Sequence, residues 1–118
     1  MAAALTHAGK IVYLPLFNAH ARVDLVFEDD HGFHRVQCKT SRVRQGVLCF
    51  STCSNSGGIR RGYRGEVDLF GVHSPELQQV FLVPVGEVPQ RMCSLRLEPA
   101  RNGQQRRLRW ASDYLLRP

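Results

Sequence analysis

The stretch Val23–Arg42, VDLVFEDDHGFHRVQCKTSR, decides how the chain is read. RVDLVFE alternates apolar and polar residues with period two, DDHG is a turn signal, and FHRVQCKT alternates again. That is the pattern of an antiparallel hairpin. Side chains on a strand alternate faces, so register decides which polar residues meet. A two-residue turn at His31-Gly32 sets Asp24 opposite Lys39, whereas a four-residue loop from Asp29 to Gly32 sets it opposite Gln37. In both registers Asp24, Gln37 and Lys39 share one face. Val23, Leu25, Phe27, Val36 and Cys38 form the apolar set on the other. The plain explanation is a surface Asp–Lys pair worth less than about 1 kcal/mol, and geometry alone favours it. The same three groups also suit phosphodiester hydrolysis. Hard oxygen ligands hold Mg²⁺, a bound metal makes water easier to deprotonate, and a lysine beside it stabilises developing charge.

Outward from the hairpin, the chain reads as short strands. Residues 2–9 read as the last turns of a helix stopped at Gly9. KIVYLPLF reads as a short buried strand broken by Pro15. VLCFST, EVDLFGV, VFLVPV and CSLRLEP are further strands, with a turn around HSPELQQ and a short helical turn at GEVP. RNGQQ carries an Asn-Gly hairpin signal before RRLRWASDYLL. Residues 51–65, STCSNSGGIRRGYRG, read as a polar, glycine-rich loop without an element of its own, a length that is usually functional or mobile. The expectation is one mixed α/β domain over 1–118, with a mixed sheet of about five or six strands, the 22–40 hairpin at its centre, and few, short helices.

At 118 residues and 43% hydrophobic, the chain suffices for one domain with a real core. Its net charge of +6 points to a polyanionic partner. Fourteen of the 16 basic residues are arginines, whose rigid fork suits phosphate, although a GC-rich genome gives the same bias. No apolar run approaches the roughly 18 residues of a membrane helix, and MAAALTHAGK is not built like a signal peptide. A cytoplasmic location is the expectation. The four cysteines suit a reducing compartment. Cys49 with Cys53, and His31 with His34, match no standard zinc spacing.

Arg42, Arg44, Arg60, Arg61 and Arg64 flank the strand VLCFST, and no Asp or Glu occurs from Lys39 to Gly65. Such one-signed segments contact phosphates with salt-dependent, largely sequence-independent affinity, and these five are the candidate DNA contacts. Arg101, Arg106, Arg107 and Arg109 form a second basic patch. Trp110 and Tyr114 read as core, and Tyr63 as a packing residue at a strand entry. No GxSxG elbow occurs, and none of the five histidines has a recognisable catalytic context, so serine or cysteine hydrolase chemistry has no support. An RNA-binding sheet would want adjacent stacking aromatics on a strand, which are missing.

Asp24 followed by Gln37-Cys38-Lys39 across a hairpin resembles the PD-(D/E)XK nuclease signature in its glutamine variant. RVDLVFED, RVQCKTSR, YRGEVDLFGVHSPEL, VFLVPVGEVP, LRLEPARNGQQ and LRWASDYLL, in that order, are similar to small PD-(D/E)XK endonucleases related to a homing endonuclease of a cyanobacterial group I intron. The resemblance implies a restriction-endonuclease-like mixed sheet and a Mg²⁺-dependent DNA endonuclease (Mn²⁺ as substitute) of homing, junction-resolving or restriction-like type. It implies Asp24 as metal ligand, Gln37 as ligand or orienter, Lys39 as catalytic lysine, DNA as partner, and a homo-oligomer, dimer or tetramer. Two departures stand out: Val23 replaces the proline of PD, and no Asp or Glu precedes Asp24, where the family places an acidic residue on a first helix. A truncated first helix, a carboxylate borrowed from another subunit, and a catalytically inactive DNA-binding module each account for the second.

Overall fold

The computed structural model describes residues 1–17, 22–56, 58–89, 91–98 and 108–117, with backbone alone at 55, 56, 59 and 60. The helix α1 spans Ala2–His7. Ten strands follow: β1 Ile11–Tyr13, β2 Leu25–Asp29, β3 Gly32–Thr40, β4 Val43–Arg44, β5 Val47–Ser51, β6 Cys53–Ser56, β7 Ile59–Gly62, β8 Leu69–Ser74, β9 Gln79–Pro84 and β10 Met92–Arg96. Two 3₁₀ turns lie at Val85–Glu87 and Ala111–Asp113.

The described strands divide among three sheets, the largest of them the expected mixed sheet, with five strands. The main sheet has the order β1-β2-β3-β8-β9, a second has β10-β5-β4, and β6-β7 is a separate hairpin. Among the described strands all pairings are antiparallel except β3 with β8. The central sheet is therefore mixed, with β3 in its middle, as the hairpin pattern predicts.

The β2–β3 register sets Leu25 against Val36, Phe27 against His34 and Asp29 against Gly32. Continued one step, it puts Asp24 opposite Gln37, the second of the two registers considered from sequence. The turn itself is Asp30-His31. Asp29 closes it locally, its Oδ1 accepting from the His31 amide at 2.9 Å and from His34 Nε2 at 2.9 Å. Gly32, at φ +111°, supplies a backbone conformation that a side chain rarely adopts.

Each face of the main sheet carries apolar side chains, as a two-sided core requires. On one side Leu25, Phe27 and Val36 meet Leu5 of α1. The helix ends as the sequence predicts: Gly9, at φ +85°, donates to the Thr6 carbonyl at 3.0 Å, and the Lys10 amide to that of Leu5 at 3.0 Å. On the other side Phe70, Val72, Phe81 and Val83 pack against Leu48, Phe50, Cys93 and Leu95 of the three-stranded sheet. This second cluster is the larger, and it lies on the face that also bears Gln37 and Lys39, because those residues pair with Phe70 and Val72.

Three sequence expectations need correction. Val23 packs against the larger cluster rather than with Leu25, since the chain meets regular β2 geometry only from Leu25. β1 is an edge strand whose Ile11 and Tyr13 are exposed, not a buried strand. Residues 53–62 form the β6–β7 hairpin instead of a featureless loop. Ser56 pairs with Ile59 across the sequence Gly57-Gly58, a two-residue hairpin signal masked by the lack of apolar alternation on either side.

Candidate active site

Asp24 lies just before β2, exposed to solvent. Its amide donates to the Val36 carbonyl at 2.9 Å, and its Oδ2 accepts from the Cys38 amide at 2.8 Å. The carboxylate thus takes the place of a backbone acceptor beyond the end of β2. This sets it against the peptide between Gln37 and Lys39. Those two side chains, both half-buried, project to the same face of β3. The Gln37 amide nitrogen makes a long contact of 3.4 Å to the Cys38 carbonyl, and among the described residues nothing donates to its oxygen. Asp24 makes no ion pair among the described residues, so the plain surface Asp–Lys pair is not formed.

Lys39 stands on an aromatic floor. Its Nζ is 4.9 Å from the Tyr63 ring centre and 5.9 Å from that of Phe70, within reach of cation–π attraction. Tyr63 is buried edge-on against Phe70, as a packing residue should be. The Arg22 guanidinium also sits over the Tyr63 ring, at 3.8 Å. Arg22 donates to the Arg61 carbonyl at 3.2 Å and lies 3.5 Å from Glu66, which accepts from Arg61 at 2.6 Å. The segment entering β2 is thereby tied to the β6–β7 hairpin through one ring. Sequence reading missed Arg22, and no spacing rule would have found it, because its partners lie about forty residues away.

Cys38 projects to the other face. Burial, and next the Asp24 charge, push its thiol up to about 11, so it stays protonated at neutral pH. Asp68, which precedes β8 opposite Arg35, is a structural group. Its carboxylate accepts from the Arg35 amide at 2.8 Å and from the guanidinium at 2.9 and 3.1 Å, and those bonds hold its pKa below the usual range. Glu28 accepts from the Tyr13 hydroxyl at 2.9 Å, further along the strand from the site.

Among the described residues no group of three or more His, Cys, Asp or Glu side chains could hold a metal. The donors at hand are one oxygen of Asp24 without a hydrogen bond and the Gln37 carbonyl. This suits Mg²⁺ in one particular way, since that ion keeps several waters and completes its shell with substrate phosphate.

Arg42, Arg44, Arg61 and Arg64 are all exposed. Arg61 is paired with Glu66, while Arg64 donates weakly to the Val88 carbonyl at 3.4 Å. The Arg60 side chain and Arg101, Arg106 and Arg107 lie outside the described residues. Arg109 of the second basic patch donates to the Glu87 carbonyl at 2.8 Å. Tyr114 packs half-buried on the larger cluster, and Trp110 is half-buried.

A mixed five-stranded sheet with an aspartate at the entry of one strand and Gln-Cys-Lys on the next defines a restriction-endonuclease-like fold. The chain belongs to the PD-(D/E)XK endonucleases, whose family model matches residues 1–117. Its structure is similar to that of a bacterial homing endonuclease, I-Ssp6803I, with a TM-score of 0.69 and 25% identity, over 97% of this chain and 82% of that one. No curated protein sequence matches it. Nucleases of this family generally use divalent metals.

Proposed function

We propose that the protein is a Mg²⁺-dependent DNA endonuclease that hydrolyses phosphodiester bonds at Asp24, Gln37 and Lys39. The observation that carries this reading is the bond from Asp24 Oδ2 to the Cys38 amide, which packs a carboxylate against the peptide linking the other two residues. Asp24 and the Gln37 carbonyl would hold the ion. When bound, Mg²⁺ would supply positive charge at the scissile phosphate and a more acidic water. Lys39 places its ammonium beside the same phosphate and stabilises the negative charge gathered there as the P–O bond to the leaving oxygen breaks. Its half-buried position over Tyr63 and Phe70 restricts the rotamers available to the long side chain, so less freedom is lost on binding substrate. Arg42, Arg44, Arg60, Arg61 and Arg64 would hold the DNA backbone, and the fit to homing, junction-resolving or restriction-like cutting is equal.

A second reading, a nuclease fold retained as a DNA-binding module without activity, is favoured by the single carboxylate at the site. Cleavage of linear, supercoiled and junction DNA in Mg²⁺ and Mn²⁺ separates the two. Lys39→Ala should abolish cutting and leave DNA affinity within about threefold, because it removes charge at the reacting phosphate and not a peripheral contact. Wild-type protein that binds all three DNAs and cuts none with either metal establishes the second reading.

A further inference from the structure

Against the β6–β7 hairpin lies a cavity of about 550 Å³ that the proposed reaction does not use. Its size is that of a small-molecule site, roughly 300–1,000 Å³. Arg61 of β7, Arg64 of the turn that follows and Arg91 of the segment entering β10 line it, while Tyr63, Val85 and Pro89 supply an apolar wall. Glu66 is the acid in the lining, and Arg61 already takes it at 2.6 Å. Arg64 keeps a weak bond of 3.4 Å to the Val88 carbonyl, and Arg91 forms no ion pair among the described residues. Two cations thus face the cavity without a counter-charge there. The fold itself holds the cavity in shape. Thr52, only 4% exposed, donates from its hydroxyl to the Pro89 carbonyl at 2.6 Å and from its amide to the Arg91 carbonyl at 2.8 Å. Both donors of a buried threonine are satisfied in this way, and residues 89 and 91 are pinned beside the end of β5.

We propose that this cavity receives one DNA nucleotide that has left the base stack, its phosphate held by Arg64 and Arg91 and its base set against the apolar wall. The lining carries both halves of that ligand's chemistry. A guanidinium forks onto two phosphate oxygens, and the flat face that every base presents is covered by apolar and aromatic side chains. A continuous duplex backbone would use the arginines and leave the apolar wall idle. The location fits as well. Tyr63 is both a wall of the cavity and part of the floor beneath Lys39, whose Nζ lies 4.9 Å from its ring centre, so one side chain separates the cavity from the site. A free nucleotide has the same chemistry, but this closeness to Lys39 favours the DNA strand as its source. The inference rests on the proposed binding of DNA and narrows the substrate to a strand with an unpaired nucleotide near the cut, because an unpaired base costs least to take from the stack.

Fluorescence anisotropy of the full chain, in EDTA so that no strand is cut, compares a duplex carrying a single-nucleotide bulge with the same duplex fully paired. The bulged duplex should bind about tenfold more tightly, the worth of one base contact, and 2-aminopurine at the bulge should be shielded from acrylamide quenching in the complex. Arg91→Ala should bring the two affinities together. So should Gly62→Trp, which fills the cavity: Gly62 lines it, its φ is not positive, and a Cβ there would meet nothing within 4 Å. Circular dichroism shows whether the tryptophan variant folds; should it not, Arg91→Ala, a change at an exposed residue, decides. Equal wild-type affinity for the two duplexes overturns the proposal, as does a preference that persists in the folded variants. Binding of dAMP without any preference for the bulge also overturns it, and assigns the cavity to free nucleotides. No step requires cleavage, so an inactive protein leaves the result readable, whereas failure to bind either duplex overturns the DNA reading together with this one.

Discussion

Replacing Asp24 by alanine and by asparagine separates what its carboxylate does for the fold from what it does for chemistry. Its Oδ2 accepts from the Cys38 amide at 2.8 Å, beyond the last backbone pairing of β2 and β3. A hydrogen bond to a charged group contributes about 1.5–3 kcal/mol, and Asp24 is exposed, so water recovers part of the loss. Asp24→Ala should therefore cost about 1–2 kcal/mol, or roughly 4–10 °C in Tm for a domain of this size. Asp24→Asn keeps an oxygen acceptor and loses only the charge assistance, about 0.5–1 kcal/mol. Cleavage behaves otherwise: both variants should fall by at least ~100-fold, since neither offers the metal and the reacting phosphate a carboxylate. Urea denaturation and single-turnover cleavage of a plasmid in Mg²⁺ measure the two effects side by side. Asp24→Asn cutting at the wild-type rate would remove Asp24 from the site, and Asp24→Ala unfolding at the wild-type midpoint would show the bond to Cys38 to be idle.

Two other expectations follow from the charges. The combined variant Arg42→Ala, Arg44→Ala, Arg64→Ala should bind DNA more weakly whatever the sequence, with the salt slope reduced by roughly one unit for every phosphate the protein no longer neutralises; an unchanged slope in a titration by fluorescence anisotropy moves the DNA interface elsewhere. The Asp68–Arg35 link should give a pH-dependent part of the stability: the folded carboxyl is held below its ordinary value, so its contribution is full above the ordinary carboxylate range and is lost as pH falls through the lower, folded value. Urea midpoints followed from pH 7 down to pH 3 should fall less steeply for Asp68→Asn than for the wild type, and parallel curves would refute the assignment.

Much of the hairpin was legible because its apolar alternation and its turn residues agree. The sequence narrowed the register to two, and the choice between them rests on a local detail, the Asp29 side chain bonding the His31 amide, which favours a turn one residue earlier than His31-Gly32. Hydrophobic alternation could not reveal β6 and β7, whose sequences, CSNS and IRRG, carry none. Nor could it tell an edge from a core strand in KIVYLPLF, since exposure there depends on which strands flank β1, and among the described residues that is β2 alone. The same limit applies to the site. Asp24, Gln37 and Lys39 are near one another in sequence and were readable as a set, whereas Arg22 and Tyr63 meet only because the β6–β7 hairpin folds back over the entry to β2.

The parallel pairing of β3 with β8 has a kinetic consequence. The β2–β3 hairpin can close locally, since its strands are joined by two residues, but β8 reaches β3 only after residues 41–68 have looped around. Closing a loop of that length costs entropy before any contact repays it, and non-local parallel pairing is slow to form. Docking of β8 is thus the natural rate-limiting step of folding. The floor of Phe70 beneath Lys39 arrives with that step, so a nascent chain holding only the hairpin would carry the three site residues without the surface that orients them.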